Sequence, residues 1–139
     1  MIAFDDLEVG DEIPVVSKVV QREDVRAYAG ASGDQNPLHQ DDDFARSVGF
    51  PGIIAHGMFT MAHLASSLTR WAGDPGALKR IGVQFRAVVY MGETIEAGGR
   101  IAELDPKTRR AKLDVWVRLE RDGDVEFPIK NATAELQLA

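Results

Sequence analysis

The spacing of apolar positions divides this chain into two regimes. From Gly57 to Ala72, GMFTMAHLASSLTRWA sets Met58, Met61, Ala62, Ala65, Leu68 and Ala72 at helical intervals, and Phe59, Leu64 and Trp71 widen that face. A helix apolar over so much of its circumference needs cover on several sides. GDPG, residues 73–76, ends it. Beyond it the period falls to two. Val83, Phe85, Ala87 and Val89 alternate with Gly82, Gln84, Arg86 and Val88. Leu113, Val115, Val117 and Leu119 alternate with Asp114, Trp116, Arg118 and Glu120, and Ala132, Ala134, Leu136 and Leu138 with Thr133, Glu135 and Gln137. Turn chemistry at Met91–Gly92, Asp105–Pro106 and Asp122–Gly123 divides this half into four strands joined as an antiparallel meander.

Ahead of the long helix, EIPVVSKVV (Glu12–Val20) predicts an edge strand. REDVRAYAGAS predicts a helix with Val25, Tyr28 and Ala29 on its apolar side, a weak cap at Gln21 and an end at Gly30 or Gly33. A short helix is expected over Asp42–Val48, capped by one of the aspartates, followed by the breaker-rich GFPGIIAHG. One sheet with an apolar face and one sizeable apolar helix have an economical solution: the sheet curls around the helix. The fold class is α+β, and the 139 residues are one domain, 1–139.

Charge and composition narrow the function. With 22 acidic and 16 basic residues the net charge is −6, a poor basis for gripping nucleic acid. There is no cysteine, which removes disulfides, thiolate metal sites and a thiol nucleophile. No segment nears 18 uninterrupted apolar residues and Met1–Asp6 lacks a basic, apolar leader, so no membrane span and a cytoplasmic location are expected.

The chemistry concentrates in GDQNPLHQDDDF, residues 33–44. Asp34 and His39 share a loop in which Gly33 permits a tight backbone, Asn36 can bond its own loop and Pro37 freezes φ. A carboxylate and an imidazole so held can act on one water, one accepting its proton while the other orients it. A solvated capping turn fits the same composition. A metal loop fits badly: counted from Asp34, the calcium-loop pattern breaks at Leu38, and no HExxH pair exists, so no metal is expected. Gly57, after His56 at the start of the long helix, offers a backbone amide without a Cβ where unpaired N–H groups and the positive dipole end converge, a natural oxyanion site. His63, within the helix, is read as structural or surface.

YAGASGDQNPLHQDDDFARSVGFPGIIAHGMFTM, Tyr28–Met61, resembles the hydratase-2 motif of the MaoC-like dehydratases, which include the (R)-specific enoyl-CoA hydratases. WAGDPGALKRIGVQFRAVV, residues 71–89, is similar to the catalytic subunit of the mycolic-acid-type (3R)-hydroxyacyl-ACP dehydratase. The resemblance implies a hotdog fold and reversible hydration of trans-2-enoyl thioesters of CoA or ACP to (3R)-hydroxyacyl thioesters, with no cofactor. It implies Asp34 and His39 as the water-activating pair, Gly57 as the amide that polarises the thioester carbonyl, and Asn36 in a structural or water-orienting part. It also implies a homodimer, or a heterodimer with a related hotdog subunit. Lys79, Arg80 and Arg86 are candidates to meet the carrier's phosphates. One departure stands out: where some (R)-hydratases carry a serine eight residues after the motif glycine, this chain has Ala65. The alternatives are a non-catalytic hotdog subunit and a hotdog thioesterase.

Overall fold

The computed structural model describes residues 2–139. Its elements run β1 (Glu12–Val19), α1 (Arg22–Ser32), a 3₁₀ turn (Pro37–His39), α2 (Asp42–Ser47), α3 (Gly57–Ala72), β2 (Leu78–Phe85), β3 (Thr94–Asp105), β4 (Arg110–Arg121) and β5 (Asp124–Gln137). The five strands form one antiparallel sheet in the order β1-β3-β4-β5-β2. Helix α3 touches every strand. Leu64, Leu68 and Ala72 on α3 are fully buried together with Ile95, Ile101, Leu113, Leu119, Ile129 and Leu136 from the sheet. The sheet wraps the helix, as the apolar periodicity requires. No described helix is long and apolar enough to cross a membrane.

The turns follow their sequences. Asp122 (φ 54°) and Gly123 (φ 82°) both take the left-handed conformation that a two-residue hairpin between β4 and β5 demands. Two glycines in β3 are dictated by close approach instead: a Cβ on Gly99 would lie 2.7 Å from the Asp114 carbonyl oxygen, and one on Gly98 would penetrate the Trp116 ring.

The meander is only partly realised. β3, β4 and β5 follow one another, but β2 pairs with β5 rather than β3. The free side of β3 is occupied by β1, with Glu12 opposite Arg100 and Val19 opposite Thr94, so β2 takes the remaining edge. The connection through Gly92 is therefore no hairpin. It is sewn to the opposite side of the molecule by Ala55 N–H to Val89 O (2.8 Å), Gly92 N–H to Val20 O (2.7 Å) and a bridge between Ile54 and Tyr90.

β2 also begins and ends earlier than the alternation over 82–89 suggests. A register shift between Gly82 and Gln84 rotates Phe85 away from the core, leaving it 50% exposed, while Val89 is buried beyond the strand.

Candidate active site

The loop after α1 is built by short-range hydrogen bonds. Gly33 (φ 80°) terminates the helix in the left-handed conformation. Asp34 N–H then donates to Ser32 Oγ (3.1 Å), Asn36 N–H to Asp34 Oδ1 (3.3 Å), Leu38 N–H to Asn36 Oδ1 (3.0 Å) and His39 N–H to Asn36 O (3.0 Å). The amide oxygen of Asn36 is thus committed to capping the turn that Pro37 opens. Its NH₂ and one lone pair of the oxygen remain for other partners.

His39 is anchored across the site. Its Nδ1 lies 2.7 Å from Ile54 O, and a carbonyl can only accept, so Nδ1 carries the proton and Nε2 of the neutral ring holds the free lone pair. Beside it lies His56, 2% exposed, whose Nε2–H donates to the main-chain oxygen of Asp34 at 2.9 Å. The two imidazoles stack, 3.8 Å between centroids and 24° between planes. Tyr28 also meets the His56 ring, 4.9 Å between centroids and 62° between planes. Polar atoms of Asp34, His39 and His56 fall within 4.8 Å of one another, so the loop does bring its carboxylate and its imidazole together.

Gly57 opens α3 next to this cluster. The residue before it, His56, is the N-cap but makes no capping hydrogen bond with its side chain. A serine or aspartate there would stabilise the helix by about 1 kcal/mol. Among the described residues the Gly57 N–H has no acceptor, and Gly57 is solvent-exposed, so its amide is available at the positive end of the helix. Phe85 flanks it: a Cβ on Gly57 would meet that ring at 3.2 Å.

The run Asp41–Asp43 is structural. Asp41 Oδ1 caps α2 by accepting from Asp43 N–H and Phe44 N–H. Asp42 accepts from Ile53 N–H (3.0 Å) and pairs with Arg22 (2.7 Å), and these bonds hold its carboxyl below the usual carboxylate range, that to Ile53 foremost. Ile53 precedes the residue that anchors His39, so Asp42 supports the site from behind. Asp43 pairs only with Arg46 on its own helix.

Asp34, His39 and His56 bring three potential metal donors together. A bound ion lies in the plane of each imidazole, about 2.0–2.1 Å from nitrogen. Near-parallel rings 3.8 Å apart aim their lone pairs side by side, so one ion cannot lie in the plane of both. The three residues do not fit an ion in this arrangement.

The remaining candidates separate. Lys79 and Arg80 begin β2 while Arg86 follows its far end, so the three form no single rim around Gly57. Ala65 is half-buried and Ser66 exposed. Ser67 is buried but donates to His63 O within its helix. His63 Nε2–H donates to Val16 O on β1 (3.0 Å), a structural position. A groove of about 310 Å³ lies between β1 and α3, where Tyr28 and Phe59 meet Lys18, His63, Ser66 and Arg70. That lining is too polar to be an alkyl channel.

His56 is the residue that periodicity and spacing missed. Its signal was present in IAHG, a histidine at the N-cap of the most apolar helix, where serine, threonine or aspartate is the ordinary choice.

Comparison with known proteins places the chain in a family. The chain is 36% identical over 114 residues to 3-hydroxybutyryl-CoA dehydratase of Methylorubrum extorquens, covering 81% of this chain and 72% of that one. It is 30% identical over 107 residues to the (R)-specific enoyl-CoA hydratase of Rhodospirillum rubrum, covering 76% and 74%. The unliganded R-hydratase PhaJ1 from Pseudomonas aeruginosa superposes with a TM-score of 0.87 at 25% identity, over 99% of this chain and 85% of that one. The sheet wrapped around α3 is the hotdog fold. The MaoC-like domain profile matches residues 7–121, which span the loop of Asp34 and His39, the glycine at the start of α3 and four of the sheet's strands complete, and the chain belongs to the MaoC-like domain family.

Proposed function

We propose that this protein is a hydro-lyase that reversibly adds water to a trans-2-enoyl thioester, giving the (3R)-hydroxyacyl thioester. The observation that carries the reading is the meeting of the Asp34 carboxylate and the His39 imidazole, within 4.8 Å, beside the unengaged amide of Gly57. Asp34 Oδ1 is held by Asn36 N–H, so Oδ2 is the oxygen free to face a water. His39 presents Nε2 as an acceptor because Nδ1–H is committed to Ile54.

The bookkeeping of bonds then closes. The water oxygen forms a bond to C3, the pair takes one of its protons, and the π electrons move through C2 onto the thioester oxygen. The Gly57 amide meets that enolate charge. C2 receives a proton from the same pair, so the site ends as it began. Dehydration retraces the path: the pair removes the C2 proton and protonates the departing hydroxyl. Asn36 serves this reading by fixing the turn between the two acting residues.

The substrate is an acyl-CoA or acyl-ACP thioester, in a cytoplasmic setting. A second copy of the chain, or a related hotdog subunit, pairs along β2, an edge strand whose ladder groups invite a partner. Met58 (52% exposed) and Phe85 (50% exposed) would be covered beside Gly57 by that partner.

The test is a spectrophotometric assay with crotonyl-CoA and a longer trans-2-enoyl-CoA, with thiol release followed in parallel. Loss of enoyl absorbance without thiol supports hydration. Thiol release points to a thioesterase, and silence at every chain length to an accessory subunit; either outcome overturns the proposal.

A further inference from the structure

We infer that His56 is the positioning residue of this site: one buried ring that holds both members of the acid–base pair while leaving the neighbouring helix amides uncapped. The inference rests on the reading of Asp34 and His39 given above.

Three contacts carry it. The Nε2–H of His56 donates to the main-chain oxygen of Asp34 (2.9 Å), so it grips the backbone that carries the carboxylate. Its face lies on the face of His39 (3.8 Å, 24°), which confines that ring against rotation about its own bond to Ile54. Tyr28 of α1 also meets the ring at a steep angle (4.9 Å between centroids, 62°), and Tyr28 in turn stands edge-on to Phe59 of α3 (5.8 Å, 88°). The ring therefore contacts both α1 and the first loop. Two hydrogen bonds with Ile54, at Leu38 O and at the His39 ring, also tie the turn to the interior, but His56 is the residue whose side chain meets both Asp34 and His39.

Position in the helix adds a second argument. As N-cap of α3, His56 turns its side chain outward to Asp34 rather than back over its own helix. Its Nδ1 is buried and has no partner among the described residues, an unsatisfied group of the kind that persists where a site needs the ring for its shape. Ring face and Nε2–H are both used, and a serine or leucine would supply neither.

The test separates these two functions with volume-conserving variants, His56→Gln retaining a donor toward Asp34 O and His56→Phe retaining a face toward His39, beside His56→Ala, which retains neither. Hydration kinetics are read as kcat and KM separately, and the side-chain ¹⁵N signals of His39 by NMR. The expected result is a fall in kcat of about tenfold or more for the alanine variant with KM within about twofold, and partial recovery in the glutamine and phenylalanine variants. The His39 ring, held as the Nδ1–H tautomer in the parent, should show mixed tautomers in the alanine variant. If the alanine variant does not fold, the other two carry the same comparison. An unchanged kcat with unchanged His39 signals, or a loss confined to KM, overturns the inference. Asp34→Asn and His39→Gln are measured alongside: if they are inert, the reading of the pair itself fails, whereas their loss beside a fully active His56→Ala removes His56 alone. The NMR readout decides the positioning claim even should no enoyl thioester be turned over.

Discussion

The Nδ1 of His39 and the carbonyl oxygen of Ile54 lie 2.7 Å apart, and this bond helps to join the loop of Asp34 and His39 to the strand-like segment that precedes α3. It decides which ring nitrogen can accept a proton from water. The prediction is direct: Asp34→Asn and His39→Gln each lower kcat by about a hundredfold or more, since each removes an acid–base group. Asp34 is exposed and both changes are near-isosteric, so thermal melting should move little. Steady-state hydration kinetics with a melting curve on each variant check this, and near-parental turnover in either would exclude that residue from the chemistry.

The segment that receives His39 is itself held by Arg121. Its guanidinium binds Glu93 through both arms (2.8 and 2.6 Å), Glu126 (2.6 Å) and Val88 O (2.9 Å), and lies 4.4 Å over the Tyr90 ring. Tyr90 bridges Ile54. The Glu93 hydrogen bond, ahead of the nearby charges, raises the Arg121 pKa above its ordinary value. Arg121→Ala leaves two carboxylates facing each other, Glu93 part-buried and Glu126 more exposed, and should cost about 2 kcal/mol. Urea denaturation reads the loss. A change below about 1 kcal/mol would mean that the network is dispensable.

His63 supplies a pH dependence. Burial, the largest influence, lowers its pKa below the ordinary histidine value despite the bond to Val16, and Lys18 and Arg70 add to the depression. A folded-state pKa below the unfolded one favours the neutral ring in the fold. Its contribution is complete above about pH 6.5 and is lost as pH falls through that value toward the folded pKa. His63→Gln keeps an amide donor toward Val16 and removes the titration. Urea midpoints at pH 8 and pH 5 should therefore show the parent losing more stability than the variant; parallel losses would assign the acid sensitivity elsewhere.

The parts of this structure legible in the sequence are those set by neighbours along the chain. Helical spacing from Met58 to Ala72 gave α3, Asp122–Gly123 gave its hairpin, and the glycines after α1 and the aspartates before α2 marked helix ends to within a few residues, the structure choosing Gly33 and Asp41. The proximity of Asp34 and His39 was legible for the same reason, since five residues and a proline leave little room to separate. What long-range pairing decides was not. The edge that β2 occupies depends on β1 having taken the other, and the turning of Phe85 onto Gly57 depends on a register shift against β5. His56 on His39, and Asp42 on Ile53, join residues that only the completed sheet and helix bring together.

Gly57 allows the sharpest separation of shape from chemistry. Proline is well accommodated at the first helical position, where no intrahelical hydrogen bond is lost, and His56 already has the extended backbone (φ −61°, ψ 141°) that a residue before proline requires. Gly57→Pro thus removes the amide hydrogen with little cost to the helix. Gly57→Ala keeps that hydrogen and adds the Cβ that meets Phe85 at 3.2 Å, a contact the exposed ring can relieve by a small shift. If the amide carries enolate charge, the proline variant loses about a hundred- to a thousandfold in kcat, the range seen when one oxyanion donor is removed. The alanine variant then loses far less. Equal losses in the two would trace the effect to crowding against Phe85, and the amide would have no part in the reaction.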